Sequence, residues 1–276
     1  MQRSCAIGWP ISHSRSPLIH GYWLKRYDIE GSYDRCPVRT EELPAFVERL
    51  RQGDFRGCNV TVPHKEAMLA LVDTADETAR AIGATNTVWV EAGRVHAGNT
   101  DAYGFATHLE AAAHGWRQQC RAAVVLGAGG AARAVLHALL AAGVEEIRLC
   151  NRSLPRAEAL AGHFGSRVKS LPWDGRAAAL AGAGLLVNST TLGMKGSEAL
   201  DIDLGPLPAH AVVYDLVYVP LRTPLLQAAA ARGLRTVDGL GMLLHQAVPG
   251  FERWFGRRPE VTPELRQLIA ADIEGA

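Results

Sequence analysis

Three short polar clusters interrupt otherwise apolar stretches: Ser12-His-Ser-Arg-Ser-Pro17, Asn59-Val-Thr-Val-Pro-His-Lys65 and Gly98-Asn-Thr-Asp-Ala-Tyr-Gly104. Each falls where a strand-like run meets a turn, which is where sites form in α/β sheets. Ser14 and Ser16, two hydroxyls beside a helix start, suit a carboxylate if the turn is extended. They suit helix capping equally well, with Ser16 as N-cap before Pro17. Lys65 falls just inside a helix begun by Pro63, where the helix dipole disfavours a cation, so chemistry is one reason to keep it there. Asp101 leaves a strand before a helix and reads either as an N-cap or as a proton-transfer partner. His13 and His64 read as turn or surface residues.

A fourth cluster is built for phosphate. In Val124-Val-Leu-Gly-Ala-Gly-Gly-Ala-Ala132 an apolar strand opens into an Ala-rich helix, and Gly127, Gly129 and Ala132 fill the dinucleotide pattern G-x-G-x-x-G/A. Glycine allows the tight turn and the backbone approach to a pyrophosphate, whose charge the helix amides stabilise. The next strand ends Leu149-Cys150-Asn151-Arg152-Ser153, with no acid for the ribose hydroxyls of NAD. Arg152 and Arg156 can clamp a 2′-phosphate instead, which favours NADP by about one to two powers of ten if the pairing contributes roughly 1.5–3 kcal/mol. Solvated arginines at a strand end and a helix start are the competing reading.

The elements that must position these groups follow from periodicity and punctuation. Strands are expected at 4–8, 33–38 and 57–61, with helices at 17–27 and 42–52, the β-α pattern of a parallel sheet. Runs 86–91 and 94–99 flank Ala92-Gly93, a hairpin turn. After a helix over 102–116, a second block reads strand 121–126, helix 130–142, strand 146–150 and helix 155–164, then strands near 167–170, 185–188, 212–215 and 234–238. Two helices close the chain, 242–255 and 263–273, the latter with Thr262 as N-cap. The fold class is α/β, with a doubly wound second domain.

Length and composition agree with that reading. At 276 residues the chain is long enough for about two domains of roughly 150. Hydrophobic residues make up 48% and charged residues 21%, which excludes wholesale disorder and a coiled coil. Lys and Arg total 29 against 28 acids, a net +1, so no overall field exists for nucleic acid or a lipid surface. A small-molecule partner is expected, with neither nucleic acid nor membrane. Five cysteines without a C-x-x-C pair or a close His argue against a disulfide framework or a metal site and fit a cytoplasmic location. No secretory signal is read at the start. The apolar run 122–144 carries Arg133, His137 and four glycines and reads as strand, turn and helix, not as a membrane span.

Taken in order, these residues resemble the shikimate dehydrogenase family, together with its quinate dehydrogenase relatives. Gly8 to His20 looks like the substrate-carboxylate signature, and Asn59 to Lys65 like the N-V-T-x-P-x-K motif. Gly83-Ala-Thr-Asn-Thr87, Gly98 to Asp101, the glycine loop, Asn151 to Ser153, Asn188 to Met194, Asp215-Leu-Val-Tyr218 and Gly239 to Gln246 follow. The resemblance implies reversible NADP-dependent reduction of 3-dehydroshikimate to shikimate, in aromatic amino acid biosynthesis. It implies Lys65 and Asp101 as the catalytic pair, with Ser14, Ser16, Thr61, Asn86, Asp101, Tyr218 and Gln246 around the substrate. Gly127, Ala128, Gly129, Gly130, Ala131, Asn151, Arg152, Ser153 and Arg156 would hold the cofactor, with Glu77, Leu216, Gly239 and Met242 near it. It also implies an N-terminal α/β substrate domain, 1–103 completed by 239–276, and a Rossmann NADP domain, 104–238, with a hinge near 102 and 239. A monomer or homodimer is expected.

The family's frequent Asn after His20 is replaced here by Gly21-Tyr22-Trp23, and Ser16 stands where quinate-accepting relatives often carry Thr. The alternatives are a quinate/shikimate dehydrogenase of broader specificity and a non-catalytic NADP-binding regulator, which has no need of Lys65 and Asp101. Short-chain reductase chemistry is excluded, because no tyrosine has Lys four residues on.

Overall fold

The computed structural model describes residues 2–275, and its contacts divide the chain into two units. One contains the residues up to Tyr103 with Leu244–Ile269; the other contains Gly104–Leu243 with the residues from Ala270.

The first unit holds β1 (Gln2–Gly8), α1 (Ser16–Arg26), β2 (Gly31–Pro37), α2 (Leu43–Arg51), β3 (Gly57–Val60), α3 (Lys65–Leu69), β4 (Thr74–Ala75), α4 (Glu77–Ile82), β5 (Thr87–Glu91) and β6 (Arg94–Gly98). Its sheet has the order β2-β1-β3-β5-β6-β4. β1 is parallel to β2 and β3, as the β-α pattern requires, but β5 runs antiparallel to both β3 and β6. The β-α strands pair in parallel and β5 with β6 as the expected hairpin, while the antiparallel β3–β5 pairing was not read from the sequence. In the hairpin Ala92 and Gly93 both adopt positive φ, 49° and 74°, which turns the chain straight back. β4 and α4 were not read from the sequence. β4 is only two residues long and is pinned beside β6 by Asp73, whose carboxylate accepts the Val95 N–H at 2.7 Å.

α2 presents Leu43, Phe46, Val47 and Leu50 at helical spacing to Ile7, Cys58, Val60 and Val88 of the sheet. α1 begins with Ser16 itself, and Arg15 is its N-cap, so the N-cap reading of Ser16 is corrected. The reason is local: the Ser14 hydroxyl accepts the Ser16 N–H at 3.3 Å, and the Arg15 carbonyl takes the Leu18 and Ile19 N–H groups. α3 likewise starts at Lys65, not at Pro63, with His64 as N-cap.

The second unit holds the sheet that carries the glycine loop. α5 (Asp101–Ala112), whose first three residues belong to the first unit, leads into β7 (Ala122–Leu126), α6 (Gly130–Ala141), β8 (Glu146–Asn151), α7 (Leu154–Phe164), β9 (Val168–Pro172), β10 (Leu185–Asn188), β11 (Val212–Asp215), α8 (Pro224–Ala231) and β12 (Arg235–Val237). The order is β12-β11-β10-β7-β8-β9, with every pairing parallel. This is the doubly wound arrangement, with its switch point between β7 and β10. The apolar run 122–144 is β7, a turn and α6, and no helix among the described residues is long and apolar enough to cross a membrane. α8 was not expected; Thr223 caps it by accepting the Leu226 N–H, and Pro224 opens it.

α9 (Leu240–Phe255) and α10 (Pro263–Glu274) complete the chain. By contacts the return to the first unit falls at Leu244, within α9, where the sequence suggested 239. Thr262 caps α10 through the Leu265 N–H at 3.3 Å. Near the end of α9, the Trp254 indole N–H donates to the Val88 carbonyl at 2.9 Å, directly over Gly57. A Cβ at Gly57 would lie 2.1 Å from the Val88 oxygen and 2.3 Å from the indole nitrogen. Gly57→Ala is therefore expected to destabilise the protein by about 1–3 kcal/mol through overpacking, read as a lowered urea midpoint with an unchanged m value.

Candidate active site

Lys65 and Asp101 come together although 36 residues separate them: the ammonium donates to the Asp101 carboxylate at 2.5 Å. Their side chains are 20% and 10% exposed, so the pair is screened from bulk water but still reachable. The Asn86 amide donates to the other Asp101 oxygen at 2.9 Å and lies 3.2 Å from the Gln246 side-chain oxygen. Its carbonyl oxygen accepts the Thr100 N–H at 2.7 Å, and the Thr100 hydroxyl donates to the Gln246 backbone carbonyl at 2.8 Å. The Asp101 N–H is taken by the Asn99 side chain at 3.0 Å, which leaves the Asp101 carboxylate for Lys65 and Asn86. Asp101 is the first residue of α5, and its carboxylate serves the ion pair instead of capping the helix.

Behind this group lies a polar web whose bonds, and whose Tyr33, were not read from the sequence. Asn59 donates to the Asn86 carbonyl at 3.2 Å, Thr87 donates to the Asn86 side chain at 3.0 Å, and the Tyr33 hydroxyl donates to Asn59 at 2.6 Å. His20 stacks on Tyr33 at 3.9 Å and is fully buried with neither nitrogen hydrogen-bonded. Burial drives its pKa down to about 3, opposed by the nearby Asn59 side chain, so the ring is neutral. His64, read as a turn or surface residue, is also fully buried. Its Nε2 donates to the Val38 carbonyl at 2.7 Å and fixes the turn from which Lys65 emerges. His13 is exposed, as expected.

Ser14 and Thr61 lie on the loops that follow β1 and β3, and Ser16 opens α1. Both serines are buried, and Ser14 is held through its carbonyl by Arg35 at 2.6 and 2.9 Å, a residue that carried no signal in the sequence. Thr61 donates to the Ile7 carbonyl at 3.1 Å, and a Cβ on Gly8 would lie 2.2 Å from its hydroxyl, so the two loops need glycine there. Tyr218 belongs to the second unit, unlike the rest of the expected substrate set.

In the second unit the glycine loop is packed at Gly127 and open at Gly129. Gly127 has φ +103°, a conformation that favours glycine, and its N–H donates to the Cys150 carbonyl at 2.8 Å. Gly129 is the N-cap of α6, without a side-chain cap and without an acid in the first turn, and a Cβ added there would meet nothing within 4 Å. Gly130 and Ala131 are the first helical residues, so their amides are available to an anion. Ser153 stands at the N-cap position of α7 without a side-chain cap bond, Asn151 donates to the Ser153 carbonyl at 2.9 Å, and Arg152 and Arg156 are exposed there. This donor set suits a dinucleotide carrying an extra phosphate. Leu216 and Gly239 meet through the backbone, since a Cβ on Gly239 would lie 2.1 Å from the Leu216 carbonyl oxygen; Met242 follows in α9. Glu77, the first residue of α4, is exposed and belongs to the first unit, unlike the rest of the expected cofactor set.

Sequence profiles described as the shikimate dehydrogenase substrate binding domain, shikimate/quinate 5-dehydrogenase and the shikimate 5′-dehydrogenase C-terminal domain match residues 6–88, 110–194 and 239–267. A shikimate dehydrogenase (NADP(+)) of Brucella abortus (strain S19) is 56% identical over 278 residues, covering 100% of this chain and 96% of that protein. This chain belongs to the shikimate dehydrogenase family. The crystal structure of shikimate 5-dehydrogenase from Thermus thermophilus, in complex with NADP(H) and shikimate, is 38% identical with a TM-score of 0.86, covering 99% of this chain and 100% of that one. A quinate dehydrogenase from Corynebacterium glutamicum, in complex with NAD, is 31% identical with a TM-score of 0.90, covering 98% and 99%.

Proposed function

We infer that the chain catalyses the reversible reduction of 3-dehydroshikimate to shikimate with NADPH, the step that gives it a place in aromatic amino acid biosynthesis. The observation that carries this reading is the Lys65–Asp101 ion pair, braced by Asn86, in a chain of this family. NADPH, when bound, supplies the hydride. As the ketone oxygen gains negative charge, the Lys65 ammonium stabilises it and gives it a proton; in the oxidative direction Lys65 takes the proton back. Asp101 orients Lys65 through the ion pair and holds its head group in place. Ser14 and Ser16 hold the substrate carboxylate, while Thr61, Asn86, Tyr218 and Gln246 position the ring. The first unit is the substrate domain and the second the NADP domain, and the enzyme works as a cytoplasmic monomer or homodimer.

Gly127 to Ala131 hold the pyrophosphate, Asn151 to Arg156 hold the 2′-phosphate, and Glu77, Leu216, Gly239 and Met242 complete the cofactor set. Arg152→Gln is expected to raise the KM for NADP by about 10–100-fold while the KM for NAD changes by less than roughly twofold, since only the phosphate ester loses a charge-assisted bond. Initial rates with shikimate and with quinate, each against NADP and NAD, test the whole assignment. Turnover with shikimate and NADP exceeding the other three pairs is expected; equal turnover of quinate would favour the broader enzyme, and no turnover at all would favour a regulator.

A further inference from the structure

We propose that Asp215 is a positioning residue for the cofactor: a buried carboxylate at the end of β11 that clasps the end of β10 to the segment 216–223 at the carboxyl ends of the second sheet's strands. Asp215 is fully buried. One of its oxygens accepts the Asn188 amide at 2.9 Å and the Val217 N–H at 3.1 Å; the other accepts the Thr223 hydroxyl at 2.6 Å. The carboxylate thereby ties the end of β10 to both ends of the segment 216–223 that precedes α8. Burial pushes its pKa up to about 6, although all three donors pull the other way.

The reach of this clasp extends beyond its own contacts. Asn188 accepts the Thr190 N–H at 3.1 Å and the Thr190 hydroxyl at 2.7 Å, donates to the Leu192 carbonyl at 3.1 Å, and takes the Leu216 N–H on its backbone carbonyl at 2.9 Å. Between them Ser189 donates its N–H and its hydroxyl to the Leu126 carbonyl, at 2.9 and 2.6 Å, and its hydroxyl oxygen would lie 2.8 Å from a Cβ on Gly127. On the other side the Leu216 carbonyl abuts Gly239. A chain of bonds therefore runs from Asp215 to the glycine loop and to the Leu216–Gly239 contact, none of which Asp215 touches itself. These loops lie at the carboxyl ends of β7, β10 and β11, the switch point at which doubly wound sheets bind ligands. A carboxylate kept here despite its burial sets the height and spacing of backbone groups that meet a dinucleotide. The proposal rests on the assignment of Gly127 to Ala131 and Leu216 to NADP.

The test compares Asp215→Asn, Thr223→Val and Thr223→Ser in the intact enzyme. Asp215→Asn keeps the shape but replaces an acceptor by a donor; Thr223→Val removes one donor, and Thr223→Ser restores it. The first two are expected to raise the KM for NADP about tenfold, with kcat and the KM for shikimate within roughly twofold, and Thr223→Ser to behave as the parent does. Amide exchange at Leu216, Val217 and Thr190 is expected to speed up about tenfold in both damaging variants, with the glycine-loop amides following. Arg152→Gln serves as the control for the cofactor assignment. An unchanged KM for NADP in Asp215→Asn and Thr223→Val, beside a raised one in Arg152→Gln, overturns the clasp. If Arg152→Gln also leaves KM unchanged, the cofactor assignment itself fails, and unaltered exchange at Leu216 and Val217 then overturns the clasp independently. Should Asp215→Asn not fold, the Thr223 pair carries the same comparison.

Discussion

Lys65→Met is expected to lower kcat by about 10²–10⁴-fold in both directions while the KM for shikimate shifts by less than roughly threefold, because the lost group acts mainly as charge develops. Methionine keeps the aliphatic stem and much of the volume and removes only the ammonium, so packing around α3 survives. Asp101→Asn removes the partner and leaves Lys65, 20% exposed, without the 2.5 Å ion pair that fixes its head group. Its Oδ1 can still accept from Asn86, which makes the expected loss smaller, about 10–10²-fold. The informative result is the double variant. If the two residues act as one unit, Lys65→Met/Asp101→Asn is no slower than Lys65→Met alone, and the coupling free energy is large. Initial rates in both directions with shikimate and 3-dehydroshikimate decide it. Near-normal kcat with a raised KM in Lys65→Met would reassign Lys65 to binding.

What could be read from the chain and what could not divide along a physical line. Gly127, Gly129, Arg152 and Lys65 stood out as candidates because a glycine-rich strand–helix turn, an acid-free strand end and a cation at a helix start are each unusual residue choices at a fixed place. The web behind them did not. Tyr33, Asn59, Thr87 and Thr100 are ordinary residue types, and their meaning comes only from strand order, which places β3 beside both β1 and β5. His64 does close a turn, as one of its two readings had it, but its burial was not legible for the same reason: its partner, the Val38 carbonyl, is 26 residues away and carries no side-chain signal. The hairpin at Ala92-Gly93 was plain from residue type, yet its consequence, an antiparallel β5 inside a sheet of β-α units, depends on pairing with β3. Asp215 was visible as part of a motif, but its role depends on Asn188, 27 residues earlier, meeting it across two parallel strands.

His20→Phe is expected to flatten the acid side of the stability curve. In the folded protein the ring stays neutral down to about pH 3, because it is fully buried between Tyr33, Trp23, Phe251 and Trp254; in the unfolded chain it protonates near its ordinary 6.5. Below pH 6.5 the unfolded state takes up a proton that the folded state refuses, so stability falls with pH, by an amount approaching roughly 4–5 kcal/mol at pH 3 at about 1.4 kcal/mol per unit. Asp215 works in the opposite sense. Its folded pKa lies up at about 6 against an ordinary 3.8, so acidification through that window relieves a buried charge and returns roughly 3 kcal/mol. The parent protein therefore shows the difference of the two, together with the usual loss from its paired carboxylates. His20→Phe isolates the first, since Asp215 and every carboxylate are common to both proteins. Phenylalanine fills the same aromatic slot without a titratable nitrogen, and any packing difference it introduces is constant with pH. Urea midpoints at pH 7, 5 and 4 are expected to show the variant gaining on the parent as pH falls, by about 3 kcal/mol at pH 4 relative to pH 7. A gap that does not change with pH would mean that His20 is protonated in the folded core or that the unfolded chain never gains the proton, and the burial-driven shift would be wrong.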